Sequence, residues 1–348
     1  MTNFEPQKSS LKGISKRKPV GASPNSWVKT GHLLDQQESL PFVIQPAVEG
    51  VDVVNWAQNN RDLIETYLSQ YGGVLFRGFH LSSVSEFEKF SNVFSQQLLE
   101  YTYRSTPRTR EGGNIYTASE YPANQTILLH NEMAYTSSWP LKIWFFCVKA
   151  AEQGGETPIA DSRVIYQRID PAIRERFLQK GVMYVRNYFD ELDLPWQTVF
   201  QTTKKAEVEA FCRETGIEFE WKSEHHLRTW QRCQAVAKHP KTDEMVWFNQ
   251  AHLFHISGLP TEVREGLFAM CKEEDFPRNA YYGDGSPIET SILSEIREIY
   301  HQEMIVFPWQ EGDILMLDNM LVAHGRRPFV GQRKILVGMA EPCYNAKI

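Results

Sequence analysis

The sequence predicts a mainly β fold with helices (α+β), a double-stranded β-helix, or jelly roll, with helical inserts. Three observations predict it. Strand-like runs cluster near residues 126–160 and again near 303–340. A mixed stretch, roughly 181–300, alternates short strand-like runs with helical ones between them. Each strand cluster also carries side chains of metal-ligating type: His130 and Glu132 in the first, His324 in the second. If these three share an ion, the two clusters must lie against each other, and a jelly roll brings distant strands into one mouth. The reading is a single domain over residues 26–348, with the mixed stretch as an insert.

The first 25 residues are polar, with Lys8, Lys12, Lys16, Arg17 and Lys18 among Ser, Gly and Pro. They read as a mobile basic tail, or as a docking arm for an acidic partner. From 52 to 71, Trp56, Leu63, Ile64, Tyr67 and Leu68 recur at helical spacing, and Gly72-Gly73 ends the run. Val74-Leu75-Phe76 reads as a buried strand. Ser83 and Glu86 form a capping box that opens a helix with Phe87, Phe90, Val93 and Phe94 on one face. Residues 101–122 read as a long polar loop.

Strands are expected at 126–130, 143–148 and 156–160, with a turn near 137–140 and a helix capped by Asp161 or Ser162. In the insert, strands are expected at 182–185, 235–238 and 246–248. Its helices are expected at 204–214, 262–273 and 289–301. The last fifty residues predict strands at 303–307, 313–317 and 333–339, with turns at Gly312-Asp313 and Gly331-Gln332.

Composition excludes several function classes. A formal charge of −6 and a pI near 6.0 give no support to nucleic-acid or anionic-membrane binding. No run approaches the length of a membrane span, and the N-terminus lacks the apolar core of a secretion signal. The 5 cysteines are scattered and never form a C-x-x-C pair, which points to a reducing compartment and away from disulfides or zinc thiolates. The expectation is a cytoplasmic protein.

In an extended strand, residues two apart share a face, so His130 and Glu132 project side by side. Two histidines and one carboxylate on one face, with the opposite positions open, suit non-haem Fe(II) that must also bind oxygen and substrate. His324 is the best third donor in the sequence.

The order of motifs resembles the taurine and 2,4-dichlorophenoxyacetate dioxygenase family of Fe(II)- and 2-oxoglutarate-dependent oxygenases. The resemblance runs from about residue 40 onward. It includes 71–79 (YGGVLFRGF), His130-x-Glu132, Gly155-Glu156-Thr157-Pro158, and His324-Gly325-Arg326 with Arg333. The nearest likeness is to the subgroup related to the syringomycin-biosynthesis hydroxylase, through 103–109 (YRSTPRT), 247–252 (WFNQAH) and 317–320 (LDNM).

The resemblance implies a clavaminate-synthase-like fold, Fe(II) on His130, Glu132 and His324, 2-oxoglutarate as co-substrate and O2 as oxidant. It further implies Arg333 on the distal carboxylate of 2-oxoglutarate, with Thr157 adding a hydroxyl. Lys334, Arg326 or Arg327 could share that role, since many members place the arginine slightly further from the distal histidine. Glu132 stands where most members have Asp; the clavaminate-synthase-like branch also uses Glu, and an intact carboxylate argues against halogenation.

Arg104, Arg108, Asn249 and Gln250 are candidate substrate residues, with His252 beside them. His225, His226 and His239 read as surface or turn residues, and His255 and Trp309 as packing. The implied substrate is amino-acid-like, either free or presented on a peptidyl carrier protein, in specialised-metabolite (antibiotic) biosynthesis. Desaturation or cyclisation with the same cofactors is the neighbouring outcome. An inactive interaction protein that keeps the fold is the alternative of another class.

Overall fold

The computed structural model describes residues 27–33, 40–103, 105–189 and 194–344. The N-terminal tail and Arg104 lie outside the described residues.

An eight-stranded sheet forms the larger wall. Its order is Val28–His32, Phe42–Pro46, Gly73–Phe76, Ile314–Asp318, Ser138–Lys149, Lys334–Tyr344, Ile115–Thr117 and Arg110–Gly112. Early and late segments therefore interleave: Ser138–Lys149 pairs antiparallel with Ile314–Asp318 on one side and Lys334–Tyr344 on the other. The smaller wall has three strands, with Val322–Arg326 between Ile127–His130 and Ile159–Asp161.

Strand alternation sorts the large sheet's side chains into two cores. Ile143, Phe145, Cys147, Leu315, Leu317, Ile335 and Val337 face inward, packed with Ile159, Leu321 and Val322 of the smaller wall. Trp144, Phe146, Ile314, Met316 and Leu336 face outward beneath an aromatic helical layer. Ser83 caps the helix Val84–Phe94 with the expected reciprocal bond to Glu86, and Phe87, Phe90 and Phe94 are buried along its inner face.

The insert builds a separate four-stranded sheet, Glu218–Trp221, Leu227–Cys233, Val182–Tyr188 and Arg278–Tyr282. The helices Lys205–Thr215, Thr261–Met270 and Thr290–Gln302 fall where the periodicity put them.

Four local expectations are corrected. The helix at 52–71 is two, Val53–Asn59 and Arg61–Tyr71, broken at Asn60. The turn expected at 137–140 lies earlier, because Ser138 already opens the long central strand. Residues 303–307 contribute only an isolated bridge, Ile305 to Ile159. The loop at 101–122 contains a short hairpin, Arg110–Gly112 with Ile115–Thr117, that extends the large sheet.

Gly72 explains why the 71–79 motif needs glycine. It ends its helix at φ +76, and a Cβ there would sit 2.6 Å from Val322 Cγ2. The helix thus docks directly on the strand that carries His324. Arg77 of the same motif makes a two-pronged ion pair with Asp313, fixing the entry to Ile314–Asp318. Among the described residues, no helix is long and apolar enough to cross a membrane.

Candidate active site

His130 ends the strand Ile127–His130, directly opposite His324 in the antiparallel register, and their ring centroids are 4.7 Å apart. Ile159 flanks His324 on the other side. Glu132 joins them by a route the alternation argument missed. The strand stops at His130, and Glu132 sits in the following turn, where Met133 adopts φ +58. One donor atom from each of His130, Glu132 and His324 lies within 4.8 Å of the others. Glu132 and His324 are 2% and 4% exposed.

The chemistry of this set fits a divalent transition metal. His130 Nδ1 lies 2.8 Å from the Leu128 carbonyl, and it can only donate there, which leaves Nε2 as a lone-pair ligand. Burial first, then the adjacent His324, pushes the His130 imidazole down to about 4, so it is neutral and ready to coordinate at neutral pH. Burial opposes ionisation of Glu132, but Arg108 and the two histidines outweigh it and hold the carboxyl well below the usual range. His130 and Glu132 are thereby held in their ligating protonation states.

Two residues hold Glu132 that the residue patterns did not single out for this task. Arg108 Nη2 donates to Glu132 Oε2 at 2.7 Å, while the guanidinium stacks over the Tyr101 ring at 4.2 Å. Asn319 clasps the Glu132 backbone from both sides: Oδ1 accepts its N–H at 2.7 Å, and Nδ2 donates to its carbonyl at 2.9 Å. Nδ2 also reaches the Pro140 carbonyl, tying the metal turn to the large sheet.

Asp318, next to Asn319, is braced in turn. Its Oδ1 accepts from Met320 and Leu321, and its Oδ2 from His239 Nε2 at 2.9 Å. His239 does take part in a turn, through Lys241 and Thr242, but it is wholly buried, which corrects the surface alternative. The 317–320 motif held the signal, but its partners are far away in sequence.

Replacing Asn319 with Ala should lower Mn(II) or Fe(II) affinity by about 10–100-fold, the usual cost of losing an outer-shell partner. Titration calorimetry checks this; unchanged affinity would remove Asn319 from the site.

The segment that holds Thr157 runs beside the His324 strand, and Arg333 reaches it from the start of Lys334–Tyr344. The segment 155–159 runs beside 324–327, with Pro158 accepting from Gly325 and Glu156 from Arg327. Thr157 is buried, and its Oγ1 accepts from Trp309 Nε1 at 3.2 Å, which gives Trp309 a polar task besides packing. Arg333 Nε donates to the Gly155 carbonyl at 2.7 Å. Gly155 adopts φ +74, and a Cβ there would crowd Arg333 Cδ at 2.9 Å.

Arg333 has no carboxylate partner among the described residues, and burial, followed by Arg326, lowers it to about 10. Two of its three competitors are engaged elsewhere: Arg326 donates to the carbonyls of Tyr121, Pro122 and Gln125, and Lys334 pairs with Glu111. A half-buried guanidinium without a counter-ion among the described residues, at the start of the strand Lys334–Tyr344, fits the free carboxylate of a metal-bound 2-oxo acid.

Asn249 and Gln250 were expected at the substrate, and the structure gives them another task. Asn249 is wholly buried, bonded to the Ala235 carbonyl and the Ala251 amide. Gln250 Nε2 donates to the Asn131 carbonyl, and His252 Nε2 to that of Leu129. Gln250 and His252 thereby tie the insert to the backbone on either side of His130. His225 and His226 do lie in a turn, both amides bonding to Ser223 Oγ.

Comparison with known proteins agrees with this geometry. Residues 36–340 match the family described as taurine catabolism dioxygenase TauD, TfdA family. The chain is 43% identical over 281 residues to the dapdiamide synthesis protein DdaC of Enterobacter agglomerans, covering 81% of this chain and 85% of that one. It is 29% identical over 325 residues to the clavaminate synthase-like protein At3g21360 of Arabidopsis thaliana, covering 87% and 95%. Its fold is shared with PvcB, an Fe, alpha-ketoglutarate dependent oxygenase from an isonitrile synthetic pathway, at a TM-score of 0.53 and 16% identity, covering 97% and 98%.

Proposed function

Because the chain belongs to the taurine catabolism dioxygenase TauD, TfdA family, we propose that it hydroxylates an unactivated C–H bond of an amino-acid-like substrate in specialised-metabolite synthesis. The chain is a 2-oxoglutarate-dependent non-haem iron oxygenase, with Fe(II) and 2-oxoglutarate as its cofactors. The observation that carries the reading is the His130–Glu132–His324 cluster, with an Arg333 guanidinium that has no carboxylate partner among the described residues, and the buried Thr157.

When bound, iron and 2-oxoglutarate supply the oxidising power, 2-oxoglutarate leaving as succinate and CO2 while O2 delivers one oxygen atom to the substrate. The protein's own residues bind and orient. His130, Glu132 and His324 would hold the metal. Arg333 and Thr157 would bind the far carboxylate of 2-oxoglutarate and so orient the molecule. Phe145, whose ring centroid is 4.9 Å from that of His324, closes the inner side with an apolar surface that keeps water away.

A relative concerned with dapdiamide synthesis supports a biosynthetic setting. The 103–109, 247–252 and 317–320 motifs support placement near the syringomycin-biosynthesis hydroxylase, and with it an aminoacyl group that is free or held on a peptidyl carrier protein. The scattered cysteines support a cytoplasmic location.

Aerobic turnover with free amino acids and carrier-loaded aminoacyl thioesters, read by mass spectrometry, tests the reaction. A product heavier by one oxygen atom is expected. Loss of two hydrogens would replace hydroxylation with desaturation or ring closure.

A further inference from the structure

His239 stands 79 residues before Asp318 in the chain, is wholly buried, and has both ring nitrogens in use. Nδ1 faces the backbone amides of Lys241 at 3.3 Å and Thr242 at 3.1 Å. An amide N–H can only donate, so Nδ1 is the acceptor and Nε2 carries the ring proton. Nε2 therefore donates to Asp318 Oδ2 at 2.9 Å. The turn that holds His239 aims its one proton at a single oxygen.

That oxygen belongs to the link between two of the strands that build the site. Asp318 ends the strand Ile314–Asp318, and its Oδ1 takes the amides of Met320 and Leu321. These bonds shape the passage into Val322–Arg326, the strand of His324. Asn319 lies inside the link. Its side chain clasps the Glu132 backbone, and its carbonyl accepts from Asn131 Nδ2 at 2.7 Å. Asp318 is a buried carboxylate, and leaving one of its oxygens without a donor is costly. Without His239 the carboxylate must turn to find another donor, and the link that carries Asn319 turns with it.

The segment that carries His239 reaches the cluster a second time. His239 follows the strand Val236–Lys238, whose hairpin partner Met245–Trp247 runs on to Gln250 and His252. Those two donate to the carbonyls of Asn131 and Leu129, on either side of His130. One stretch of the insert thus supports the Glu132 turn through its own turn and the His130 strand through its end.

We infer that His239 is a positioning residue for the metal centre: it acts through Asp318 and Asn319 on Glu132, so that metal binding depends on a buried hydrogen bond made by the insert. This inference rests on the assignment of the metal to His130, Glu132 and His324.

The test uses the full-length protein and Mn(II) alone, titrated calorimetrically, with the metal-free melting temperature measured alongside. His239→Asn puts an amide oxygen where Nδ1 stands and offers Asp318 no donor. His239→Gln puts an amide nitrogen where Nε2 stands and gives up the acceptor for Lys241 and Thr242. Mn(II) affinity should fall about tenfold in His239→Asn, the lower end for an outer-shell partner, and stay within about threefold of wild type in His239→Gln. Asp318→Asn severs the same bond from the other side while keeping the acceptor for Met320 and Leu321, and should show the same loss. In Asn319→Ala, where the route is already cut, adding His239→Asn should cost no further affinity.

Wild-type affinity in either His239→Asn or Asp318→Asn would overturn the inference. So would a loss in His239→Gln as large as in His239→Asn, because affinity would then follow the stability of the turn. The full His239→Asn loss in the Asn319→Ala background would overturn the route through Asn319, and the inference with it. If a histidine variant fails to fold, Asp318→Asn still decides. A wild-type protein that binds no Mn(II) would remove the metal assignment itself, and the inference with it.

Discussion

Replacing Glu132 with Ala should abolish turnover and weaken Fe(II) binding by more than the ~10–100-fold that loss of an outer-shell partner costs. It should also destabilise the metal-free fold, because the change strands Arg108, a charge buried against Glu132 at 2.7 Å. Removing one member of a buried pair costs about 3–5 kcal/mol. Glu132 is held well below the ordinary carboxylate range, so the pair contributes fully above that range and is lost only as pH falls far below it.

The two effects separate in the double variant Glu132→Ala/Arg108→Met. It should regain most of the lost stability, since no unpaired charge remains, and none of the turnover. Urea unfolding gives the first quantity and succinate release the second. Unchanged turnover in the single variant would sink the triad assignment; unchanged stability would mean that water reaches Arg108 once Glu132 is gone.

Arg333→Met should behave in the opposite way. Among the described residues Arg333 has no carboxylate partner and donates to the Gly155 carbonyl, so the variant exchanges one hydrogen bond for relief of a half-buried charge. Its melting temperature should stay close to wild type. If Arg333 binds 2-oxoglutarate as proposed, the co-substrate supplies its counter-ion, and truncating one member of such a pair should cost about 2–4 kcal/mol, a roughly 30- to 1000-fold rise in the KM for 2-oxoglutarate. Fe(II) affinity without 2-oxoglutarate should not move. A melting temperature that falls as far as that of Glu132→Ala would make Arg333 a structural residue.

Much of this protein was legible in its sequence. Short-range patterns placed the helices Lys205–Thr215 and Thr290–Gln302, the capping box at Ser83, and the strands Ile314–Asp318 and Lys334–Tyr344. These signals were readable because the residues that specify each element lie within it. They failed, among other places, at 52–71 and 101–122. The helix at 52–71 breaks at Asn60 although its apolar spacing runs on. The hairpin within 101–122 carries no strong alternation, and exists because Tyr116 and Thr117 complete an edge of the large sheet against Val337 and Leu336.

By itself the sequence offered the candidate ligand types: two imidazoles and a carboxylate from two strand groups, with an arginine and a threonine that the family resemblance assigns to a dicarboxylate. Those are matters of chemical identity, and identity is what a sequence states. Only the tertiary structure decided how the parts meet. It put Glu132 in a left-handed turn rather than on the strand face, and closed Asn319 around that turn from 187 residues away. It turned Gln250 and His252 from expected substrate contacts into supports for the His130 strand, and aimed Arg108 at the metal carboxylate. Each is a contact between segments whose separation in the chain carries no record of their nearness in space. That nearness is set by burying two sheets and an insert against one another.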